Sequence, residues 1–132
     1  MKSRTISVFI AAPPARVYAF ASDPGKLPLW VPSFCKSVEL VGSEWVVQSP
    51  AGRAVFTFVH PNELGVLDHT VELPSGFKLV NPMRVIPNGD GSEILFTLFQ
   101  HEGMSDQQFQ EDAAQVLSDL HSLRRLLEPG GA

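Results

Sequence analysis

The stretch of sequence that decides the fold is residues 105–127, SDQQFQEDAAQVLSDLHSLRRLL. Its apolar side chains recur at steps of four and three, which places them in one stripe along a helix. They are Phe109, Ala113, Val116, Leu120, Leu123 and Leu127. Ser105 and Gln108 resemble a capping box, and the Pro-Gly-Gly sequence at 129–131 is typical of a helix end. At 1.5 Å per residue the helix is roughly 34 Å long, enough to cross a whole sheet.

The other side of this helix is predicted to face solvent, because its side chains are polar. They are Glu111, Ser118, Asp119, Ser122 and Arg125. Ala113 in the apolar stripe and Ala114 next to it occupy positions where larger side chains would have filled the space. These small residues indicate either a gap between the helix and its partner surface or a close approach of the two.

A helix with one apolar stripe needs a surface to lie on, and the preceding residues supply a sheet. Six runs of strand-forming residues alternate with short, turn-rich links. The runs are 35–41, 44–49, 52–60, 66–73, 77–86 and 92–100. Links this short join only antiparallel neighbours, because a parallel crossover needs a dozen or more residues. The sequence therefore predicts a six-stranded meander that twists and curls around the helix.

The N-terminal residues predict one further strand and two short helices. Residues 4–11, RTISVFIA, have the composition of a strand, which Pro13 ends. Pro14 suits the first turn of a short helix, and residues 26–30 form another turn before the meander begins. The predicted fold is therefore α+β, with a curved antiparallel sheet of about seven strands around the long C-terminal helix.

The composition fits a single soluble domain over residues 1–132, with 44% apolar and 18% charged residues. A net charge of −4 and scattered Lys and Arg argue against a nucleic-acid partner. The lone Cys35 excludes an internal disulfide and fits a reducing compartment, so a cytoplasmic location is expected. The apolar run at 6–12 is too short for a signal peptide or a membrane span, and no stable membrane insertion is expected.

The amino-acid sequences of several segments resemble those of a known protein family. They are residues 10–20 (IAAPPARVYAF), 23–24 (DP), 27–30 (LPLW), 65–69 (GVLDH), 88–93 (NGDGSE), 96–99 (FTLF) and 103–106 (GMSD). With the order of elements, they resemble the SRPBCC (START-related) superfamily of polyketide cyclases/dehydrases and lipid-transport proteins, in particular uncharacterised bacterial members. The resemblance covers nearly the whole chain and implies the helix-grip fold. The superfamily includes carriers, cyclases, hormone receptors and chaperone cofactors and shares no catalytic motif, so its name alone assigns no activity.

His69 is the most informative polar residue of the predicted sheet. Strand alternation places it on the same face as Leu67, Val71 and Leu73, which should point toward the helix. An inward imidazole either hydrogen-bonds a ligand or exchanges protons near neutral pH. Alternatively, it is a core histidine bonded to a backbone carbonyl or to water.

Arg84 and Tyr18 are the other candidates for chemistry. An inward Arg84 would bind a carboxylate or an enolate, whereas the usual exposure of arginine favours an outward, solvated position. Tyr18 either offers its hydroxyl to a ligand or is a core residue with a wet tip. His60, His69 and His101 show no metal-ligand spacing, and nucleotide, metalloprotease and hydrolase motifs are absent, so we predict neither a metal site nor a cofactor.

These residues support one leading hypothesis and two alternatives. The leading hypothesis is a noncatalytic binder of a small hydrophobic or aromatic molecule, in a cavity between sheet and C-terminal helix. The predicted wall residues are Trp30, Phe56, Phe58, Leu67, His69, Val71, Phe96, Leu98, Val116 and Leu120. The first alternative is a cyclase or dehydratase in which His69 exchanges protons and Arg84 or Tyr18 steadies an enolate. The second is a protein-interaction module of the chaperone-cofactor type. A monomer or a homodimer is expected.

Overall fold

The chain forms eight strands and three helices in a computed structural model that describes residues 1–128. In chain order the elements are β1 (Ser3–Ile10), α1 (Pro14–Ala21), a 3₁₀ turn (Pro24–Lys26), α2 (Leu27–Trp30), β2 (Ser37–Val41), β3 (Glu44–Ser49), β4 (Gly52–Phe58), β5 (His69–Glu72), β6 (Lys78–Asn81), β7 (Met83–Asn88), β8 (Gly91–Phe99) and α3 (Asp106–Leu127). This order confirms the predicted α+β helix-grip architecture. The predicted Pro-Gly-Gly helix end at 129–131 lies outside the described residues.

The strands form two antiparallel sheets, with the orders β1-β8-β7 and β2-β3-β4-β5-β6. The predicted single strand over 77–86 is divided at Pro82, and this division gives eight strands rather than about seven. Proline has no backbone N–H to donate to a strand ladder, so the chain leaves one sheet at Asn81 and enters the other at Met83. The two sheets therefore continue from one to the other at this point.

The predicted strand over 66–73 is also shared between the two sheets. Its second half is β5, while the residues before β5 bond to β7, with Leu67 N donating to Met83 O at 2.8 Å. Val85 N donates to Gly65 O at 2.9 Å, and a Cβ at position 65 would collide with the carbonyl oxygen of Val85. This close approach, with a φ of +74°, explains why position 65 is a glycine.

Helix α3 begins with a side-chain cap. Ser105 Oγ accepts a hydrogen bond from Gln108 N at 3.0 Å, as predicted. The reciprocal bond of a capping box does not form, because Gln108 Nε2 donates to Asp112 Oδ1 at 2.8 Å instead. The helix packs along β1 and α2 and buries Leu120 and Leu123 completely. Within residues 1–128, no helix is both long and apolar enough to cross a bilayer.

Candidate functional site

A cavity of about 260 Å³ lies between the sheets and α3. Strands β4, β5 and β8 form one wall, α3 forms the opposite wall, and α2 closes an end. Nine of the ten predicted wall residues line it: Trp30, Phe56, Phe58, His69, Val71, Phe96, Leu98, Val116 and Leu120. The tenth, Leu67, is buried in the core but does not line the cavity. It precedes β5, in the segment that bonds to β7, and this position separates it from the β5 side chains that face the cavity.

His69 is buried, and each nitrogen of its ring lies within hydrogen-bonding distance of another protein atom. Nδ1 lies 3.0 Å from the carbonyl oxygen of Leu67, so Nδ1 carries the proton and donates it there. Nε2 is left as an acceptor, 3.3 Å from the side-chain amide nitrogen of Asn81. This arrangement is that of a neutral imidazole whose tautomer is fixed by the backbone.

Aromatic rings surround the His69 imidazole. Phe56 stacks on it with a centroid distance of 4.7 Å, and Phe58 and Phe96 lie at 5.4 and 5.9 Å. Burial among these rings lowers the pKa of His69 to about 4, although the bond to Leu67 and the charge of Asp68 act in the opposite direction. The imidazole is therefore uncharged at neutral pH.

Asp119 is a cavity residue that the sequence analysis assigned wrongly to the solvent-facing side of α3. Its side chain lines the cavity and is only 7% exposed. The reason is its position three residues after Val116 and four before Leu123, which sets it next to the apolar stripe. The curved sheet covers a wider part of the helix than that stripe. The spacing alone would have placed Asp119 toward the cavity, but aspartate is usually exposed, so the sequence analysis placed it toward solvent.

The carboxyl group of Asp119 has one partner among the described residues. Gln115 Nε2 donates to Asp119 Oδ1 at 3.0 Å. Burial raises the pKa of Asp119 to about 6, and the bond from Gln115 offsets only part of this effect. Asp119 therefore titrates close to neutral pH inside the cavity.

The rest of the lining comes from α2 and the residues that follow it, from β6 and the end of β8, from the connection before α3, and from α3 itself. The polar members are Ser33, Asn81, His101, Asp112 and Gln115. The apolar members are Leu27, Val31, Phe34, Leu79, Phe99 and Met104. Neither lysine nor arginine occurs among the lining residues that the structure describes. The charges in this wall are therefore acidic.

Arg84 and Tyr18, the other two candidates for chemistry, lie outside this cavity. Arg84 faces outward and pairs with Asp68, with Nη2 2.8 Å from Oδ2 and Nε 3.2 Å from Oδ1. Strand alternation explains this direction, because Met83 and Val85 occupy the inner face of β7. The Tyr18 hydroxyl accepts a hydrogen bond from Asn62 N at 2.9 Å, and Tyr18 lines a neighbouring surface groove that shares Phe56 and Phe58 with the cavity. Neither residue is placed to steady an enolate in the cavity.

Two further groups complete the chemical inventory. Cys35 is fully buried, and burial raises the pKa of its thiol to about 11, which makes it a poor nucleophile. Trp30 lines the α2 end of the cavity and is 4% exposed, and its Nε1 has no hydrogen-bond partner within residues 1–128. Over the same residues, no three His, Cys, Asp or Glu side chains cluster closely enough to hold a metal ion.

Comparison with known proteins gives a family and a fold. The sequence model of the family described as polyketide cyclase / dehydrase and lipid transport matches residues 1–128. No curated protein sequence matches the chain.

Three similar solved structures illustrate the fold. The Aha1 dimer from Colwellia psychrerythraea has a TM-score of 0.73 at 16% identity, covering 100% of both chains. Ara h 8.0201 has a TM-score of 0.70 at 16% identity, covering 96% of each chain. DynU16, a protein in the dynemicin biosynthetic locus, has a TM-score of 0.73 at 16% identity, over 99% of this chain and 49% of its own. At such identities the likeness establishes the helix-grip fold alone.

Proposed function

This chain belongs to the polyketide cyclase/dehydrase and lipid transport family, and we propose that it binds a small hydrophobic or aromatic molecule between its sheets and α3. The observation that carries the proposal is the cavity of about 260 Å³, with Phe56, Phe58 and Phe96 grouped around His69. A partly open recess of this size, lined mainly by apolar and aromatic side chains with a few polar groups, is typical of a site for a small molecule.

The cavity volume limits the size of that occupant. Pockets for drug-sized ligands are typically about 300–1,000 Å³, whereas an apolar cavity of about 150 Å³ accommodates benzene. A volume of about 260 Å³ therefore favours a molecule larger than one ring, such as two fused rings or a short branched chain. The aromatic side chains favour a flat ring system, which stacks or packs edge-to-face on them.

Filling the cavity from the helix side is expected to block binding. Val116 lines the cavity and Leu117, the next residue of α3, is 37% exposed. We expect Val116→Trp to weaken binding of an environment-sensitive apolar dye at least tenfold, while Leu117→Trp retains wild-type affinity. Fluorescence titration measures the affinities, and near-ultraviolet circular dichroism confirms folding. Undiminished dye binding by folded Val116→Trp would show that the dye adsorbs to the surface instead.

The enzymatic alternative, a cyclase or dehydratase, requires convergent groups that exchange protons at the ligand. His69 lines the cavity, but its ring nitrogens are engaged by Leu67 and Asn81. Arg84 and Tyr18 lie elsewhere. The three residues named for that chemistry therefore do not converge on one point. Asp119 and Asp112 also line the cavity, but neither bonds to His69 to form an acid/base pair, so we favour a binder with His69 as part of its wall.

Replacing His69 with glutamine distinguishes the two functions. If the protein is a binder, His69→Gln removes an aromatic ring from the cavity wall and is expected to weaken ligand affinity by about 0.5–1.5 kcal/mol, the scale of one aromatic contact. If His69 transfers protons, the same change leaves binding nearly intact and slows turnover roughly 100-fold or more. The assays use the molecule that native mass spectrometry finds in the freshly purified protein. Unchanged affinity together with unchanged turnover would make His69 a purely structural residue.

The protein-interaction alternative requires a contiguous exposed apolar surface. Apart from Met1, the large apolar side chains that are more than half exposed are divided among several segments: Leu29 in α2, Leu40 in β2, Leu64 in the connection before β5, and Phe77 and Val80 at β6. Leu40 and Val80 lie on opposite edges of the five-stranded sheet, four strand spacings or about 19 Å apart along it, so these two do not form one patch. A cytoplasmic monomer or homodimer that binds a small molecule remains our proposal, and the buried free thiol of Cys35 is consistent with a reducing compartment.

A further inference from the structure

We propose that the ligand of this cavity carries a basic nitrogen, which pairs as a protonated amine with Asp119 while an apolar ring body fills the space beside the phenylalanines. This inference rests on the proposed binding function and adds the chemical class of the ligand. It comes from the charges and the unused hydrogen-bonding capacity of the cavity wall.

The first support is an unpaired oxygen on a buried carboxylate. Asp119 is more than nine-tenths buried, and Gln115 Nε2 occupies only its Oδ1. Oδ2 accepts no hydrogen bond from any residue between 1 and 128, and it is not one of the fully buried side-chain atoms without a partner, so it is open to the cavity. A carboxylate oxygen that faces a cavity in this way is best satisfied by a charge-assisted hydrogen bond from a cationic N–H group of a ligand.

The second support is the sign of the charges around the cavity. Asp112 and Asp119 both line it, and within the described part of the chain no lysine or arginine does. A ligand with a carboxylate head, such as a fatty acid, would bring a third negative charge beside these two without a compensating cation. A neutral alcohol would bond to Asp119 but leave its charge uncompensated. A protonated amine satisfies both the hydrogen bond and the charge.

Asp112 extends the negative surface outward along α3. It lies seven residues before Asp119, two turns along the same helix face, and its side chain is half-buried. Gln108 Nε2 already donates to its Oδ1. Its negative charge on the cavity wall would favour the approach of a cation.

The aromatic part of the wall suits the same ligand. Phe56, Phe58 and Phe96 surround the neutral His69 imidazole and offer ring faces and edges to an apolar body. Aromatic faces also attract a nearby cation, so an amine next to a ring system is not repelled by this wall. Two fused rings bearing an aminomethyl group are of the size that the cavity favours.

Three probes on one naphthalene frame test the inference: 1-naphthylmethylamine, 1-naphthalenemethanol and 1-naphthoic acid. Competition with the apolar dye at about pH 7.5 gives their affinities, since an alkylamine is protonated there. We expect wild-type protein to bind the amine at least tenfold more tightly than the alcohol and to bind the acid most weakly. Asp119→Asn should reduce the preference for the amine over the alcohol to within about twofold. Glu111→Gln, an exposed change of the same charge on the same helix, should retain it.

The outcomes separate the inference from the function on which it rests. If the alcohol or the acid binds wild-type protein as tightly as the amine, or if Asp119→Asn keeps the preference, the inference is wrong although the cavity binds apolar molecules. If none of the three probes binds, and Val116→Trp does not affect dye binding, the proposed function fails and the inference with it. If the Asn variant does not fold, the three affinities of wild-type protein still decide between amine, alcohol and acid.

Discussion

Replacing Leu120 with glutamate is expected to prevent folding. Leu120 has no solvent-exposed surface and lies in the middle of α3, where the helix meets both the core and the cavity. The substitution removes a buried leucine, which typically costs about 2–5 kcal/mol, and adds a carboxylate without a partner, which costs several kcal/mol more. The sum is comparable to the whole stability of a small domain, about 5–15 kcal/mol.

The matched control is the same substitution at Leu117, three residues earlier on the same helix and 37% exposed. We expect Leu117→Glu to remain folded, with a melting temperature within a few degrees of the wild type. Far-ultraviolet circular dichroism and thermal melting measure both variants. A soluble Leu120→Glu protein with a native-like melting temperature would contradict the docking of α3 on the sheets.

The helix and the strand order could be predicted because their signals are local. The recurrence of Val116, Leu120 and Leu123 at steps of three and four is sufficient to define the buried side of α3. Alternation around His69 is equally local, and it correctly predicted an inward imidazole. Short links between strands allow only antiparallel pairing, so the pairing of consecutive strands within each sheet also followed from the sequence, whereas the pairing of β1 with the distant β8 did not.

The division into two sheets could not be predicted in the same way. Residues 77–86 carry apolar side chains on both faces of the predicted strand, so periodicity does not determine which way Arg84 points. In the structure the chain changes sheet at Pro82, and Arg84 points outward and donates two hydrogen bonds to the carboxylate of Asp68. This ion pair joins residues sixteen positions apart in the sequence, and a local pattern cannot predict it.

The polar side of the cavity was missed for a different physical reason. Asp119 is polar, and the average preference of aspartate is solvent. Its burial reflects the width of the surface that grips the helix, which depends on the curvature of sheets built from distant segments. Cavity residues such as His101 and Met104 come from the connection before α3, where neither strand nor helix periodicity applies. Departures from local rules of this kind are expected at functional sites.

Stability is expected to depend on pH through two buried cavity groups whose pKa values move in opposite directions. Burial lowers the pKa of His69 from 6.5 to about 4, so protonation favours the unfolded chain. The stability associated with neutral His69 is complete above pH 6.5 and is lost as the pH falls toward 4. Each pKa unit corresponds to about 1.4 kcal/mol, so the loss amounts to about 3 kcal/mol.

Asp119 has the opposite dependence. Burial raises its pKa from 3.8 to about 6, so the folded protein favours the neutral carboxyl group. The stability that this preference provides is complete below pH 3.8 and is lost as the pH rises through 6, by about 1–2 kcal/mol once screening by the water that reaches Oδ2 is taken into account. Between pH 4 and 6 the contributions of His69 and Asp119 change in opposite directions and partly cancel.

Asp119→Asn separates these contributions, because asparagine keeps the shape and an acceptor for Gln115 but does not ionise. We expect this variant to be more stable than wild type by about 1–2 kcal/mol at neutral pH and about equally stable near pH 4. Urea unfolding across this range measures the difference, and the effects of the other carboxylates cancel because both proteins share them.

His69→Gln should show the opposite pH dependence: its stability relative to wild type rises by about 3 kcal/mol as the pH falls from 6.5 to 4. A wild-type protein as stable as Asp119→Asn at neutral pH would mean that the ionised carboxylate is already satisfied in the empty cavity. A residue that destabilises the unliganded protein is expected where a ligand supplies the missing partner, so the gain in stability and the loss of amine preference should occur in the same variant.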